Sequence, residues 1–197
     1  MPDEAYWETL FDVELILDRL GIDGLVHNVV EVGSGYGTFT VAVARRISGC
    51  IEAVDIDPAM VERTRRRAAE AGLMNVVCRE RDIVIEGLGV PSDSQDACLL
   101  FNILHGENPI GILAEAARSV RPNGFVHVIH WRYDPSTPRG PSMDIRPRPE
   151  QIMAWARESN MLEPYGTVLD LPPWHYGIRF RRRQDKHGIN EPVRNET

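Results

Sequence analysis

In the segment Val29-Val30-Glu31-Val32-Gly33-Ser34-Gly35-Tyr36-Gly37-Thr38, a short apolar run gives way to three alternating glycines. The run predicts a buried strand of four residues. The glycines allow a tight turn and a close approach of backbone to a ligand. The stretch that follows, Thr38 to Ile47, carries a helical pattern, so the turn opens at the positive end of a helix. Eighteen residues past Gly37 stands Asp55, at the end of a second apolar run, Cys50 to Asp55. A carboxylate at that place in an α/β sheet can accept from both hydroxyls of a ribose. The glycine turn and the acid together predict a nucleoside-containing cofactor.

Outward from this unit the pattern repeats. Asp57-Pro58 is a helix start, with a carboxylate cap and a proline at the first helical position, and Gly72 ends that helix. Asn75–Glu80, Ala97–Phe101 and Phe125–Trp131 read as further strands, Ile112–Val120 as a helix and Arg121–Gly124 as a turn. Strands separated by helical patterns imply an α/β fold with a mostly parallel sheet covered on both faces. Near the start, Leu10, Val13, Leu17 and Leu20 follow helical spacing up to Gly21, so residues 1–21 predict an N-terminal helix able to act as a lid. Tyr176, Ile178 and Phe180 alternate with Gly177, Arg179 and Arg181, which predicts an antiparallel edge strand at the C-terminal end. Residues 132–149 hold five of the 14 prolines and four arginines, a loop at the carboxyl edge of the sheet. The helix after it runs from Pro149 to Asn160, and residues 185–197 read as a flexible tail.

Composition narrows the function. The 197 residues suit a single domain, 1–197, and 43% apolar with 26% charged residues is ordinary for a globular protein. Twenty-two basic against 29 acidic residues give −7, which argues against wrapping nucleic acid. No run is long enough to span a bilayer, and the acidic start MPDEAYWETL lacks signal-peptide features, so the expectation is cytoplasmic. Cys50, Cys78 and Cys98 lie in or beside predicted strands, read as buried, and form neither a disulfide framework nor a metal signature.

The spacing E-x-G-x-G-x-G lacks the sixth-position glycine of the dinucleotide fingerprint, since Thr38 stands there. It resembles motif I of the class I S-adenosylmethionine-dependent methyltransferases. The likeness continues in order from about residue 28 to 131, through AVDIDPAM, RDI at 81–83, DACLLFNILH and RSVRPNGFVHVIHW. In the last segment Asn123 replaces a glycine of the family's turn, a residue that also tolerates left-handed angles.

The resemblance implies a three-layer Rossmann-like methyltransferase fold, with a mostly parallel seven-stranded sheet and an antiparallel C-terminal strand. It implies S-adenosyl-L-methionine as cofactor and S-adenosyl-L-homocysteine as product. Gly33, Gly35 and Gly37, with Tyr36 in the same loop, would lie along the methionine and ribose. Glu31 would help position the amino group, and Asp55 would bind the ribose hydroxyls. Ile56 would pack on the adenine, Asp82 and Ile83 would read its edge, and Asn102 would lie near the methionine end. The general branch it looks most similar to includes quinone-biosynthesis enzymes that methylate small molecules.

Methyl transfer from a sulfonium needs alignment and water exclusion more than acid catalysis on the donor. For the acceptor side, His105, Arg132 and Tyr133 stand at strand exits. Any of the loop arginines Arg132, Arg139, Arg146 and Arg148 could clamp an anionic acceptor, unless solvated or paired with Asp134 and Asp144, and Arg132 is favoured as nearest the strand end. No catalytic base is assigned. His130 reads as a core histidine or a base, and His127 as structural. Arg63, Arg65, Arg66 and Arg67 read as a solvated helix face, and Arg181-Arg182-Arg183 as charge protecting an edge strand. Leu171-Pro-Pro-Trp174 resembles the signature of amino-methylating DNA methyltransferases, but it lies too far along the chain and reads as a turn. The rivals are an NAD(P)-dependent oxidoreductase, which would share the glycine unit and Asp55, and a non-catalytic nucleoside-binding module, which would lack an acceptor cavity. Oligomeric state is left open.

Overall fold

A computed structural model describes residues 3–184. The predicted tail 185–197 lies outside the described residues. In chain order the elements are α1 (Glu4–Glu8), α2 (Val13–Leu20), β1 (Val29–Val32), α3 (Thr38–Arg46), β2 (Ile51–Asp55), α4 (Pro58–Glu70), β3 (Val76–Glu80) and α5 (Ile83–Glu86). There follow β4 (Gln95–Phe101), α6 (Pro109–Ser119), β5 (Val120–Trp131), α7 (Pro149–Glu158), β6 (Leu162–Pro164), β7 (Leu169–Leu171) and β8 (His175–Arg182).

The strands form one sheet in the order β3-β2-β1-β4-β5-β8-β6, with β7 also on β8. β3, β2, β1, β4 and β5 are parallel, and β8 runs antiparallel to β5. β1 has neighbours on both edges and helices on both faces, which is why Val29–Val32 is buried throughout. Alternation along β4 divides the core. Ala97, Leu99 and Phe101 pack with Leu17 of α2 and Val43 of α3, while Cys98 and Leu100 pack with Leu113 of α6 and Ile152 of α7. After β3 the chain crosses to the far side of β1, so the strand order reverses between β1 and β4. Ligands bind outside the carboxyl ends of such sheets at that reversal.

Local signals fix the element ends. Asp57 caps α4 by accepting from Ala59 N at 2.8 Å, and Pro58 opens the helix. Gly21 stops α2 in the left-handed region at φ 75°. Asn123 adopts φ 67° in the turn before the regular part of β5, where the register with β4 shifts.

Four expectations are corrected. The N-terminal helix is two, broken at Leu10 and Phe11, both of which are buried while Phe11 bridges to Pro173. Among the described residues the sheet has eight strands, and β8 is not an edge, because β6 and β7 cover its outer side. Arg182 accordingly is buried, donating to Ala117 O, Val120 O and Asp93 rather than standing in solvent. The arginines of α4 are not one solvated face. Arg65 and Arg66 pair with Glu62 on their own helix, but Arg63 and Arg67 reach Glu4 and Glu8 and hold α1 in place. Of the cysteines only Cys98 is buried; Cys78 is half-buried, and Cys50 is exposed because it precedes β2 at the sheet's opposite edge.

Candidate active site

The glycine loop turns through three left-handed positions, Gly33, Gly35 and Gly37, at φ 74°, 54° and 75°. Gly33 N donates to Val54 O at 2.7 Å, which ties the loop to β2. Thr64 Oγ1 on α4 donates to Gly35 O at 2.9 Å, and a Cβ on Gly37 would sit 3.1 Å from that hydroxyl. The Asp55 carboxylate accepts from Gly35 N at 2.8 Å and from Asp57 N at 3.0 Å. Each carboxylate oxygen keeps a second lone pair, so two hydroxyls can still be accepted.

A cavity of about 200 Å³ lies at this loop, walled by Gly33, Asp55, Ile56, Asp82, Ile83 and Ile103. Ile56 is 64% exposed, an apolar side chain awaiting cover on the cavity's rim. A Cβ on Gly33 would stand 2.9 Å from Ile103 Cγ2, so a side chain there would crowd this space. Asp82 Oδ1 is taken up in capping α5, by accepting from Val84 N at 2.9 Å. An apolar slot for a flat ring, bounded by one carboxylate suited to a ribose and another suited to an amino group, fits an adenosine-bearing cofactor. Behind the loop, Glu31 is 2% exposed and accepts from Thr40 Oγ1. Burial pushes its carboxyl up to about 8, with the charge of Asp55 adding to the rise and the Thr40 hydrogen bond opposing it. Tyr36 is half-buried, and its carbonyl accepts from Arg67 Nη1 at 3.4 Å.

At the end of β4, Asn102 takes φ 59° while its N–H donates to Ile129 O at 2.8 Å. Its Nδ2 lies 3.4 Å from His175 Nε2. Around it gather buried atoms without a hydrogen-bond partner among the described residues: Asn102 Oδ1, His105 Nδ1, both ring nitrogens of His130 and His175 Nδ1. His105 and His130 meet edge to face with centroids 5.6 Å apart. Burial holds His130 and His175 neutral, with pKa values down to about 3, and it also lowers His105. Buried groups left without partners cost free energy, and such concentrations occur where a ligand or water completes them.

A second cavity, of about 430 Å³, opens beside this cluster between the β4–α6 loop, the 132–149 loop and α7. His105, Tyr133, Ile145, Arg146, Arg148 and Trp155 contribute to its wall. Arg146 is the centre of the loop. Its guanidinium is 94% buried by residue and donates to the carbonyls of Arg132, Asp134, Arg139 and Pro141 and to Thr137 Oγ1. Five donors so engaged leave nothing for a ligand. The Arg148 guanidinium instead lies 3.5 Å over the Tyr133 ring, with no ion pair among the described residues.

The structure thus brings Gly33, Asp55, Ile56, Asp82 and Ile83 to one cavity and His105 and Tyr133 to the next. Glu31, Gly35, Tyr36, Gly37 and Asn102 wall neither of these two cavities, and Arg132 is placed away from both. It pairs with Asp170 on β7 and donates to His175 O at 3.3 Å, and it does not wall the acceptor-side cavity. β7 was not visible as a strand in the sequence, so its acid could not be paired in advance. Ile103 walls the cofactor-side cavity but was not singled out, whereas Arg146 and Arg148 were among the loop arginines weighed as anion contacts, with Arg132 preferred to them. For Ile103 the signal was its place one residue past the strand exit.

A reversal-point glycine cradle with an acid at the end of β2 is the arrangement of a Rossmann-like nucleoside-binding fold, and comparison with known proteins narrows it. Residues 29–124, just under half of the chain, match the family described as "Methyltransferase domain", and the fold is the Rossmann-like methyltransferase fold. Aklanonic acid methyltransferase DauC of Streptomyces sp. (strain C5) is 30% identical over 94 residues, covering 46% of this chain and 42% of that protein. The match therefore spans less than half of the curated relative. A SAM-dependent methyltransferase from Aquifex aeolicus superposes with a TM-score of 0.79 at 21% identity, covering 91% of this chain and 94% of its own. The [4+2]-cyclase SpnF has the same fold, with a TM-score of 0.72, 18% identity, and coverage of 87% and 79%. Among the described residues no helix is long and apolar enough to cross a membrane.

Proposed function

We propose that the chain transfers a methyl group from S-adenosyl-L-methionine to a small or medium acceptor bearing an anionic group. The observation that carries this reading is the β4–α6 loop, which gives Ile103 to the cofactor-side cavity and His105 to the acceptor-side cavity. One turn of chain thereby walls both a nucleoside slot and a space of about 430 Å³, within the ~300–1,000 Å³ range of small-molecule sites. A non-catalytic module would have no use for the second space. The missing glycine at Thr38 and the family match both disfavour a nicotinamide cofactor.

When bound, S-adenosyl-L-methionine supplies an electrophilic methyl on a cationic sulfur, a leaving group that needs no proton. The chain's own residues align and enclose. Asp55 holds the ribose, Ile56 and Ile83 flank the adenine, and Asp82 reads its edge. Asn102 and the neutral histidines present donors and acceptors to the methionine end and the acceptor's reacting group. Tyr133 and Arg148 hold the far end, the guanidinium donating to a carboxylate in a fork. SpnF carries the fold under a cyclase's name, so the activity rests on this site and not on the fold.

The test is transfer of labelled methyl to a panel of aromatic and aliphatic carboxylates, each beside its neutral ester. Arg148→Gln should lower kcat/KM for the acids by about tenfold or more, the scale of one charge-assisted hydrogen bond, and leave S-adenosylhomocysteine affinity unchanged. Arg132→Gln should leave both parameters near wild type. Preference for the esters, or an effect of Arg132→Gln alone, would refute the anionic-acceptor reading.

A further inference from the structure

At the end of the sheet opposite the cofactor cradle, the start of β5 and the end of β8 bound another cavity, of about 320 Å³. Phe125 lies six residues from Trp131, so this space is ~20 Å along the strands from the acceptor side. The loop after α2 and the β6–β7 connection close its sides, through Gly21, Val26 and Tyr165. Its wall is aromatic: Phe125 meets Tyr165 edge to face with centroids 5.1 Å apart and stacks on His127 at 5.8 Å.

Two polar groups on this wall are unpaid: His127 Nδ1 and Arg179 Nε are shut off from solvent and have no hydrogen-bond partner among the described residues. They belong to directly opposed residues in the β5–β8 ladder and share one face of the sheet. The other arginines nearby are paired, Arg121 with Asp96, Arg181 with Glu163 and Arg182 with Asp93. Arg179 has no carboxylate at ion-pair distance among the described residues; its guanidinium lies 5.2 Å over the Tyr165 ring. Asp96 is used up, because it also accepts from His27 N and Asn28 N, and Asp23 accepts from Leu25 N at 2.9 Å.

We propose that this cavity is a second small-molecule site that takes an aromatic carboxylate. The ring would pack against Phe125 and Tyr165, the carboxylate would meet the Arg179 guanidinium, and His127 would supply a hydrogen bond from the floor. An unpaired guanidinium beside aromatic faces suits this chemistry, since it offers a fork to the acid and a stacking plane to the ring. The site uses no residue of the cofactor or acceptor cavities, so it stands whether or not the methyltransferase reading holds.

The experiment is an amide-shift titration of the full chain with indole-3-carboxylate and, in parallel, with its uncharged isostere indole-3-carboxamide. Saturable binding of the acid is expected, with shifts at Phe125, His127 and Tyr165 and about tenfold weaker binding of the amide. Arg179→Gln should abolish that preference. Tyr165→Ala, at a half-exposed position where folding is safe, should weaken both probes. No saturable binding, equal affinity for acid and amide, or shifts confined to His105 and Tyr133 would each overturn the proposal.

Discussion

Asp55 serves the loop and the ligand with one carboxylate. By accepting from Gly35 N and Asp57 N it holds the glycine turn against the end of β2, and its remaining lone pairs face the cavity. Asp55→Asn keeps one acceptor oxygen and removes the charge. It should therefore weaken S-adenosylhomocysteine binding about 10- to 100-fold in calorimetry while the near-ultraviolet spectrum stays native. Gly37→Ala is the harsher change, because the new Cβ faces the Thr64 backbone at 3.2 Å from a residue at φ 75°. Unfolding should become easier by about 1–3 kcal/mol, as read from denaturant midpoints. Both residues were legible from the sequence, since glycine spacing and a strand-terminal acid are local signals.

Elements that depend on distant partners were harder to read. β6 and β7 have three residues each, too short for an alternating pattern, so β8 looked like an edge and Arg182 like surface charge. In the structure Arg182 is 4% exposed and fastens the end of α6 and the start of β5 to β8. Arg182→Ala should cost about 2–4 kcal/mol in chemical denaturation, because it strands two buried carbonyls. Arg181→Ala, which removes a half-exposed pair with Glu163, should cost less than about 1 kcal/mol. The clamp of Arg63 on Glu4 joins residues 59 apart in sequence, at 2.8 Å, and no local spacing announces it. The same reason misplaced Arg132, whose partner Asp170 lies 38 residues on. The five parallel strands and the helices α3, α4 and α6, by contrast, carry apolar patterning and caps and fell near where those signals predicted, while α5, of four residues, was not foreseen.

Across the whole molecule, buried titratable groups set opposing limits on stability. His127, His130 and His175 are held neutral, with pKa values down to about 3 from an ordinary 6.5, chiefly by burial. Below pH 6.5 the unfolded chain takes up protons that the folded chain refuses, so stability falls as pH drops toward 3. Glu31 works the other way. Its folded value of about 8 against 4.5 means the unfolded chain sheds a proton that the folded chain keeps, so stability falls as pH rises from 4.5 through 8. Three groups outweigh one between 4.5 and 6.5, which places the maximum near pH 6.5. Denaturant midpoints across pH 4–9 should show it, and Glu31→Gln should remove the fall on the alkaline side. An unchanged alkaline limb in that variant would mean that Glu31 is ionised in the folded protein.

The most direct test of the cofactor assignment is calorimetric titration of the full chain with S-adenosylhomocysteine and, in parallel, with NADH. The arrangement of Gly33, Asp55, Ile56 and Asp82 predicts micromolar binding of the first, weakened about 10- to 100-fold in Asp55→Asn, and no heat from the second. Binding of NADH, or silence toward S-adenosylhomocysteine, would contradict it.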